Sequence, residues 1–123
     1  MEKILLDTNV LMAVGEMKLD VFEQLREYCD FNFKIYVLQS TIEELEKIIV
    51  EQRGKYIRAA KLALSLLARK KITILKKTGY ADDLLVELSQ RGYLVLTQDA
   101  LLKKRLKRPY LTIRQQKRVM LVR

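Results

Sequence analysis

The sequence predicts a three-layer α/β domain with a mainly parallel central sheet, and three observations carry that prediction. Short apolar and β-branched runs alternate with longer stretches of helical periodicity along the chain. The first run, Ile4-Leu5-Leu6, is apolar at every position, as a strand covered on both faces must be. It ends abruptly on Asp7-Thr8-Asn9, small polar residues of the kind that start helices. In open α/β sheets ligands sit beyond the carboxyl ends of the strands, so Asp7 falls where such a fold puts chemistry.

The first strand covers Lys3–Leu6, and a helical stretch follows to about Val14, breaking near Gly15. Asp20 caps the next helix with Glu23 as its capping-box partner. Val21, Phe22, Leu25 and Tyr28 keep helical spacing until Cys29-Asp30. Lys34–Leu38, rich in aromatic and β-branched residues, is the second strand. Ser40 or Thr41 then caps a helix whose stripe is Ile42, Leu45, Ile48 and Ile49. Glu44 borders that stripe, Glu43 points away from it, and Gly54 stops the helix. Lys55–Arg69 is helical over an unusually wide apolar arc, so it is buried or faces a partner subunit. Lys71–Leu75 is the third strand, followed by a turn at Lys76–Gly79 and a helix opening at Ala81-Asp82-Asp83 and ending before Gly92. Tyr93–Leu96 is the fourth strand and leads into Thr97-Gln98-Asp99. Ala100–Lys107 is a short helix that Pro109 cannot extend. Tyr110–Arg114 and Arg118–Val122 form a fifth strand and a terminal hairpin arm.

A chain of 123 residues, half of them hydrophobic, suits one domain over 1–123 with a core of its own. Its single cysteine, Cys29, cannot close an internal disulfide, which points to a reducing, cytoplasmic setting. No apolar run approaches the ~20 residues of a membrane span, so no membrane role is expected. The first residues lack a signal-peptide pattern. Charge is divided unevenly: residues 1–68 carry a net −2 and residues 69–123 a net +11. A half so basic suits a polyanionic partner, most simply nucleic acid. Three of the four acids in that half, Asp82, Asp83 and Asp99, lie beside predicted helix starts.

Four acids share one description. Asp7 follows the first strand, Glu44 and Asp82 open the helices after the second and third, and Asp99 follows the fourth. Parallel strands would bring all four to one sheet edge. Each alone is a plausible helix cap or first-turn acid; together they would repel one another and resist joint ionisation. A divalent cation removes that penalty, and carboxylate oxygens suit Mg²⁺ or Mn²⁺. With no histidine in the chain, histidine acid–base catalysis and histidine zinc ligation are excluded. Neither a phosphate-binding loop nor a dinucleotide glycine fingerprint is present. Asn9, two residues after Asp7, argues against an aspartyl-nucleophile phosphatase.

Four segments resemble the PIN-domain nucleases across nearly the whole chain: Leu5-Leu6-Asp7-Thr8-Asn9-Val10-Leu11, Thr41-Ile42-Glu43-Glu44-Leu45-Glu46-Lys47, Ala81-Asp82-Asp83-Leu84-Leu85-Val86-Glu87, and Leu96-Thr97-Gln98-Asp99-Ala100-Leu101-Leu102-Lys103. The Ala81-Asp82-Asp83 stretch and the basic helix after Asp99 are similar to the branch that processes ribosomal RNA. The short length is similar to the toxin-type, VapC-like branch. The resemblance implies a PIN-like fold and Mg²⁺- or Mn²⁺-dependent endonucleolytic cleavage of RNA. By position it implies catalytic Asp7, Glu44, Asp82 and Asp99, with Asp7, Asp82 and Asp99 on the metal. Thr8, Asn9, Asp83 and Thr97 would support them. Val37-Leu38-Gln39-Ser40 departs from the family, in which many members have a proline before the glutamate.

Lys103, Lys104, Arg105, Lys107 and Arg108, aided by Arg114, Lys117 and Arg118, are the expected phosphate contacts. The partners this reading allows besides RNA are a second copy in a homodimer, an antitoxin or a ribosome-assembly factor. The rival readings are a catalytically inactive RNA-binding or ribosome-assembly module of the same fold, and a chain that acts chiefly through protein partners.

Overall fold

A computed structural model describes residues Met1–Arg123. The elements in order are β1 (Glu2–Leu6), α1 (Thr8–Glu16), α2 (Val21–Tyr28), β2 (Phe33–Leu38), α3 (Gln39–Glu51) and α4 (Lys55–Arg69). They continue as β3 (Thr73–Leu75), α5 (Ala81–Gln90), β4 (Leu94–Leu96), α6 (Ala100–Arg105), β5 (Tyr110–Arg114) and β6 (Arg118–Val122). The strands form one sheet in the order β3-β2-β1-β4-β5-β6. Every pairing is parallel except β5 with β6. β1 is central: the chain builds outward from it through β2 and β3, then crosses to place β4 on its other side.

Strand alternation builds the three layers. Ile4, Leu6, Val37, Leu94, Leu96, Leu111 and Ile113 face the core shared with α1, α2, α3 and α4. Leu5, Leu38, Val95 and Tyr110 face the opposite way, against Leu84, Leu85 and Leu88 of α5 and Leu102 and Leu106 around α6. The period of two thus serves two cores at once, which is why Ile4-Leu5-Leu6 of β1 had to be apolar without a break. The predicted three-layer α/β class is the observed one. None of its helices is long and apolar enough to cross a membrane.

Several local expectations shift. Gly15 lies inside α1 instead of ending it. A Cβ built there would sit 2.7 Å from Ala59 Cα, so its role is to let α1 and α4 touch backbone to backbone. Asp20 does cap α2, accepting the Glu23 N–H at 3.0 Å, but the Glu23 carboxylate pairs with Arg26 instead of reaching back. α3 starts directly after Leu38 with no side-chain cap, placing Ser40 and Thr41 inside its first turn. It ends at Glu51, and Gly54, with φ +55°, begins α4 instead of closing α3. The wide apolar arc of α4 is largely explained by packing against both α1 and α3. Ala59, Ala60, Ala63 and Leu67 are buried there, while Tyr56 and Leu62 remain exposed. α6 stops at Arg105, two residues short of Lys107, and buried Leu106 turns the chain.

Gly15→Ala should destabilise the fold by about 1–3 kcal/mol, since the obstructing atom is backbone and cannot rotate away. Urea unfolding of the variant beside the unaltered chain measures this; an unchanged midpoint would mean that α1 and α4 can separate freely.

Candidate functional site

The β1/β4 pair is the point where strand order reverses, and the candidate site is built on it. The Asp7 N–H closes the β1–β4 ladder on Leu96 C=O at 3.0 Å. The residue is extended, with φ −79° and ψ 155°, and caps α1 by accepting the Thr8 N–H on Oδ1 at 2.7 Å. Its other oxygen, Oδ2, accepts the Thr97 hydroxyl at 2.7 Å. Thr97 is fully buried at the end of β4, and its Oγ1 also accepts the Asp99 N–H at 3.1 Å. One threonine therefore fixes the Asp7 side chain and the Asp99 backbone together. Asn9 adds a further tie, its Oδ1 accepting the Gln98 N–H at 3.3 Å.

Glu44 is attached to the same centre through Thr8. The Thr8 Oγ1 lies 3.1 Å from Glu44 Oε1 and 3.4 Å from Thr41 Oγ1. Thr8 has one hydroxyl proton; the carboxylate takes it, and Thr41 can donate to Thr8 in turn. Thr41, buried one helical turn before Glu44, is a supporting residue that the sequence reading assigned to capping. The spacing of three residues, which places Thr41 and Glu44 on one helix face, was the available clue.

Burial pushes the Asp7 carboxyl up from its ordinary value of 3.8. The hydrogen bonds from Thr97 and Thr8 pull the other way, and the charges of Asp82 and Glu44 add to the upward push. Asp7, Glu44 and Asp82 are thus within electrostatic reach of one another. Asp99 stands on the same edge but caps α6, its Oδ1 accepting the Leu101 and Leu102 N–H groups at 2.9 and 3.1 Å. No three of these acids are close enough, as their side chains lie, to hold an ion. Asp7 and Asp99 are each engaged as caps, on α1 and α6 respectively.

The outer residues divide. Asp83 is exposed and turned toward α6, where it pairs with Arg105 at 2.6 Å. Lys103 and Lys104 lie on α6, which starts at the carboxylate edge. Arg114, Lys117 and Arg118 surround the β5–β6 turn, and because β5 runs parallel to β4 that turn projects from the same edge. Lys107 and Arg108 do not join them. They precede β5 and therefore sit at the opposite, amino edge, where the Lys107 N–H donates to Ser89 Oγ and the Arg108 guanidinium to the Arg123 carbonyl. Of the cations expected to contact phosphate, these two therefore stand apart from the carboxylates.

The family model described as a PIN like domain matches residues 4–116. Ribonuclease VapC9 of Archaeoglobus fulgidus is 36% identical over 118 residues, covering 92% of this chain and 84% of its own. Ribonuclease VapC4 of Methanocaldococcus jannaschii is 29% identical over 124 residues, with 95% and 94% covered. Among solved structures, that of the PIN domain endonuclease Utp24 superposes with a TM-score of 0.77 at 26% identity, covering 98% of this chain and 91% of that one. With the carboxyl-edge acids set on a β1/β4 switch point and a family match spanning nearly every element, this chain belongs to the PIN-like domain family.

Proposed function

We propose that the chain is a divalent-metal-dependent endoribonuclease of the toxin type, cutting RNA phosphodiester bonds at the carboxylates around Asp7. The observation that carries this reading is a partly buried aspartate at the sheet's switch point, its pKa raised by burial and by two neighbouring acids. The ribonuclease names of two relatives matched over most of their length support RNA as substrate. The likeness to the Utp24 endonuclease supports internal cleavage. The higher identity to the VapC ribonucleases favours the toxin branch over ribosomal RNA processing. That branch gives the chain a cytoplasmic place and an antitoxin as protein partner.

The donor set fits a hard cation: carboxylate oxygens flanked by threonine hydroxyls suit Mg²⁺ or Mn²⁺. Asp7, Asp82 and Asp99 would hold it, with Glu44 completing its coordination or orienting the attacking water. Such an ion supplies charge neutralisation at the phosphoryl oxygens and a more acidic water. The protein's part is positional. Thr97 holds Asp7 in one rotamer, Thr8 anchors Glu44, and Asn9 fixes the backbone before Asp99. Lys103, Lys104, Arg114, Lys117 and Arg118 are the cations at this edge for the flanking phosphates. Arg105 is neutralised by Asp83, and Asp83 by Arg105, so neither joins the centre in this assignment.

Cleavage of a labelled RNA with Mg²⁺ or Mn²⁺, and its suppression by chelator, is the direct test. Asp7→Asn and Asp99→Asn should each reduce the rate at least about 100-fold, and Thr97→Val, which frees Asp7, about 10–100-fold. Full activity in both aspartate variants would remove the proposed centre. Binding without turnover under either metal would favour the inactive RNA-binding module.

Stability offers a readout independent of turnover. The folded protein holds a proton on Asp7 more tightly than the unfolded chain does, so this group's stabilising contribution is complete below pH 3.8. It is lost as pH rises through the higher folded value. At neutral pH, in chelator, Asp7→Asn should therefore melt higher than the unaltered chain, and the advantage should vanish in acid. Mg²⁺ should raise the melting temperature of the unaltered chain and leave that of Asp7→Asn nearly fixed. A lower melting temperature for Asp7→Asn at pH 7 would contradict the assignment.

A further inference from the structure

A cavity of about 360 Å³ opens at the sheet edge opposite Asp7. Phe22 and Arg26 of α2, Phe33 and Lys34 at the start of β2, and Lys70 and Lys71 before β3 line it, with no acidic side chain among the lining residues. Arg26 is already paired with Glu23. Lys34, Lys70 and Lys71 take part in no ion pair. The Lys70 Nζ stands 5.1 Å from the centre of the Phe22 ring, so cation and aromatic face are already adjacent. Lys34 borders the cavity through its strand but turns its Nζ to the other face of the sheet, 5.5 Å from the centre of the Tyr36 ring, so the cations of the concavity are Lys70 and Lys71. Two unpaired ammonium groups side by side repel each other, and an anion relieves them. An inorganic anion would have no use for the apolar floor of Phe22, Phe33, Ile35 and Ile72; a nucleotide uses both, its base on the apolar surface and its phosphates on the lysines.

The cavity also has a path to the carboxylates. β3 is an edge strand of three residues, about 10 Å long, with Ile74 exposed along it. Lys70-Lys71 stand at its amino end and Lys76-Lys77 at its carboxyl end. At that second end lies a cleft of about 520 Å³ with no apolar side chain in its lining, formed by Lys76, Lys77, Thr78 and Gly79 against Gln39, Ser40 and the acidic Glu43. Asp82 follows three residues after Gly79. Lys77 is only loosely engaged, 3.9 Å from Glu87.

We infer that the Phe22–Phe33–Lys70–Lys71 cavity is a second RNA-binding site, holding a nucleotide of a single strand that runs along the β3 edge to the carboxylates. The inference rests on the proposed reading only in taking RNA as what this chain binds, and it adds a site that the cleavage chemistry does not require. It makes affinity depend on substrate length: a strand confined to the carboxylate edge gains nothing from the cavity, whereas a longer one does.

The experiment measures binding by fluorescence anisotropy in the full chain carrying Asp7→Asn, so that cleavage does not intervene. The probes are labelled single-stranded RNAs of about 4 and about 16 nucleotides. Lys70→Ala/Lys71→Ala should weaken binding of the long RNA about tenfold and make its salt dependence shallower by about 1.4 in log–log slope. The short RNA should bind as before. Lys70→Gln, a single exposed change beside Phe22, should weaken the long RNA alone in the same direction, which guards against misfolding of the double variant. Equal affinity for the long RNA in all variants, or equal loss for both lengths, overturns the inference, as does failure of the parent Asp7→Asn chain to bind RNA at all. A change of oligomeric state on sedimentation with RNA binding intact would mean that the cavity is a contact between copies, and overturns it too. Length-dependent binding through the lysines, in an unaltered chain that cuts no RNA with either metal, would instead overturn the nuclease reading and leave this one standing.

Discussion

The position of the Asp7 carboxylate is the constraint around which this molecule is arranged. It lies where β1 and β4 diverge, with its N–H on Leu96 and its two oxygens on Thr8 and Thr97. Burial alone favours protonation, and Asp82 and Glu44 favour it further. The two hydrogen bonds oppose this shift, and they also hold the side chain where it is least comfortable. A residue chosen for stability at this point would be neutral. The chain instead places a carboxylate among carboxylates and surrounds it with threonines that fix it, an arrangement whose strain a bound cation would relieve.

The surplus of positive charge follows the sheet's two edges. At the carboxyl edge, α6 contributes Lys103 and Lys104, and the β5–β6 turn contributes Arg114, Lys117 and Arg118. At the amino edge, Lys34, Lys70 and Lys71 gather around aromatic rings. Edge strand β3 joins the two, with lysine pairs at both ends. A polyanion therefore meets cations on more than one side, while Asp7, Glu44, Asp82 and Asp99 all stand at the carboxyl edge. Such separation favours threading a strand past the centre over gripping it only there.

Much of this was legible in the sequence, for reasons that can be named. Asp7 stood out because three fully buried residues precede it and a helix follows. Asp20 and the limits of α4 were legible because capping chemistry and helical spacing are local. Gly15 was misread because its meaning lies in Ala59, 44 residues away, and sequence spacing carries no record of how closely two helices pack. Ser40 and Thr41 were misread because capping residues and buried first-turn residues have the same composition. Thr41 does its work on Thr8, across the sheet edge. The pairing of Arg105 with Asp83 and the removal of Lys107 and Arg108 to the far edge depend on element direction, which no spacing encodes.

The strand period explains why the site falls where it does. Leu5 faces one core while Ile4 and Leu6 face the other, so after the exposed Glu2 and Lys3 the rest of β1 has no solvent-facing position. The first residue beyond that buried run is the first after it that can carry a charge, and that residue is Asp7. The same holds for β4, where buried Leu94, Val95 and Leu96 give way to Thr97. Because β1 and β4 are neighbours in parallel register, Leu6 beside Leu96, their first polar residues emerge together. The Thr97–Asp7 hydrogen bond is thus a consequence of how the core is built. A one-residue slip of β4 against β1 would exchange its two core faces and also take Thr97 away from Asp7, so the packing that holds the sheet in register holds the site in register too.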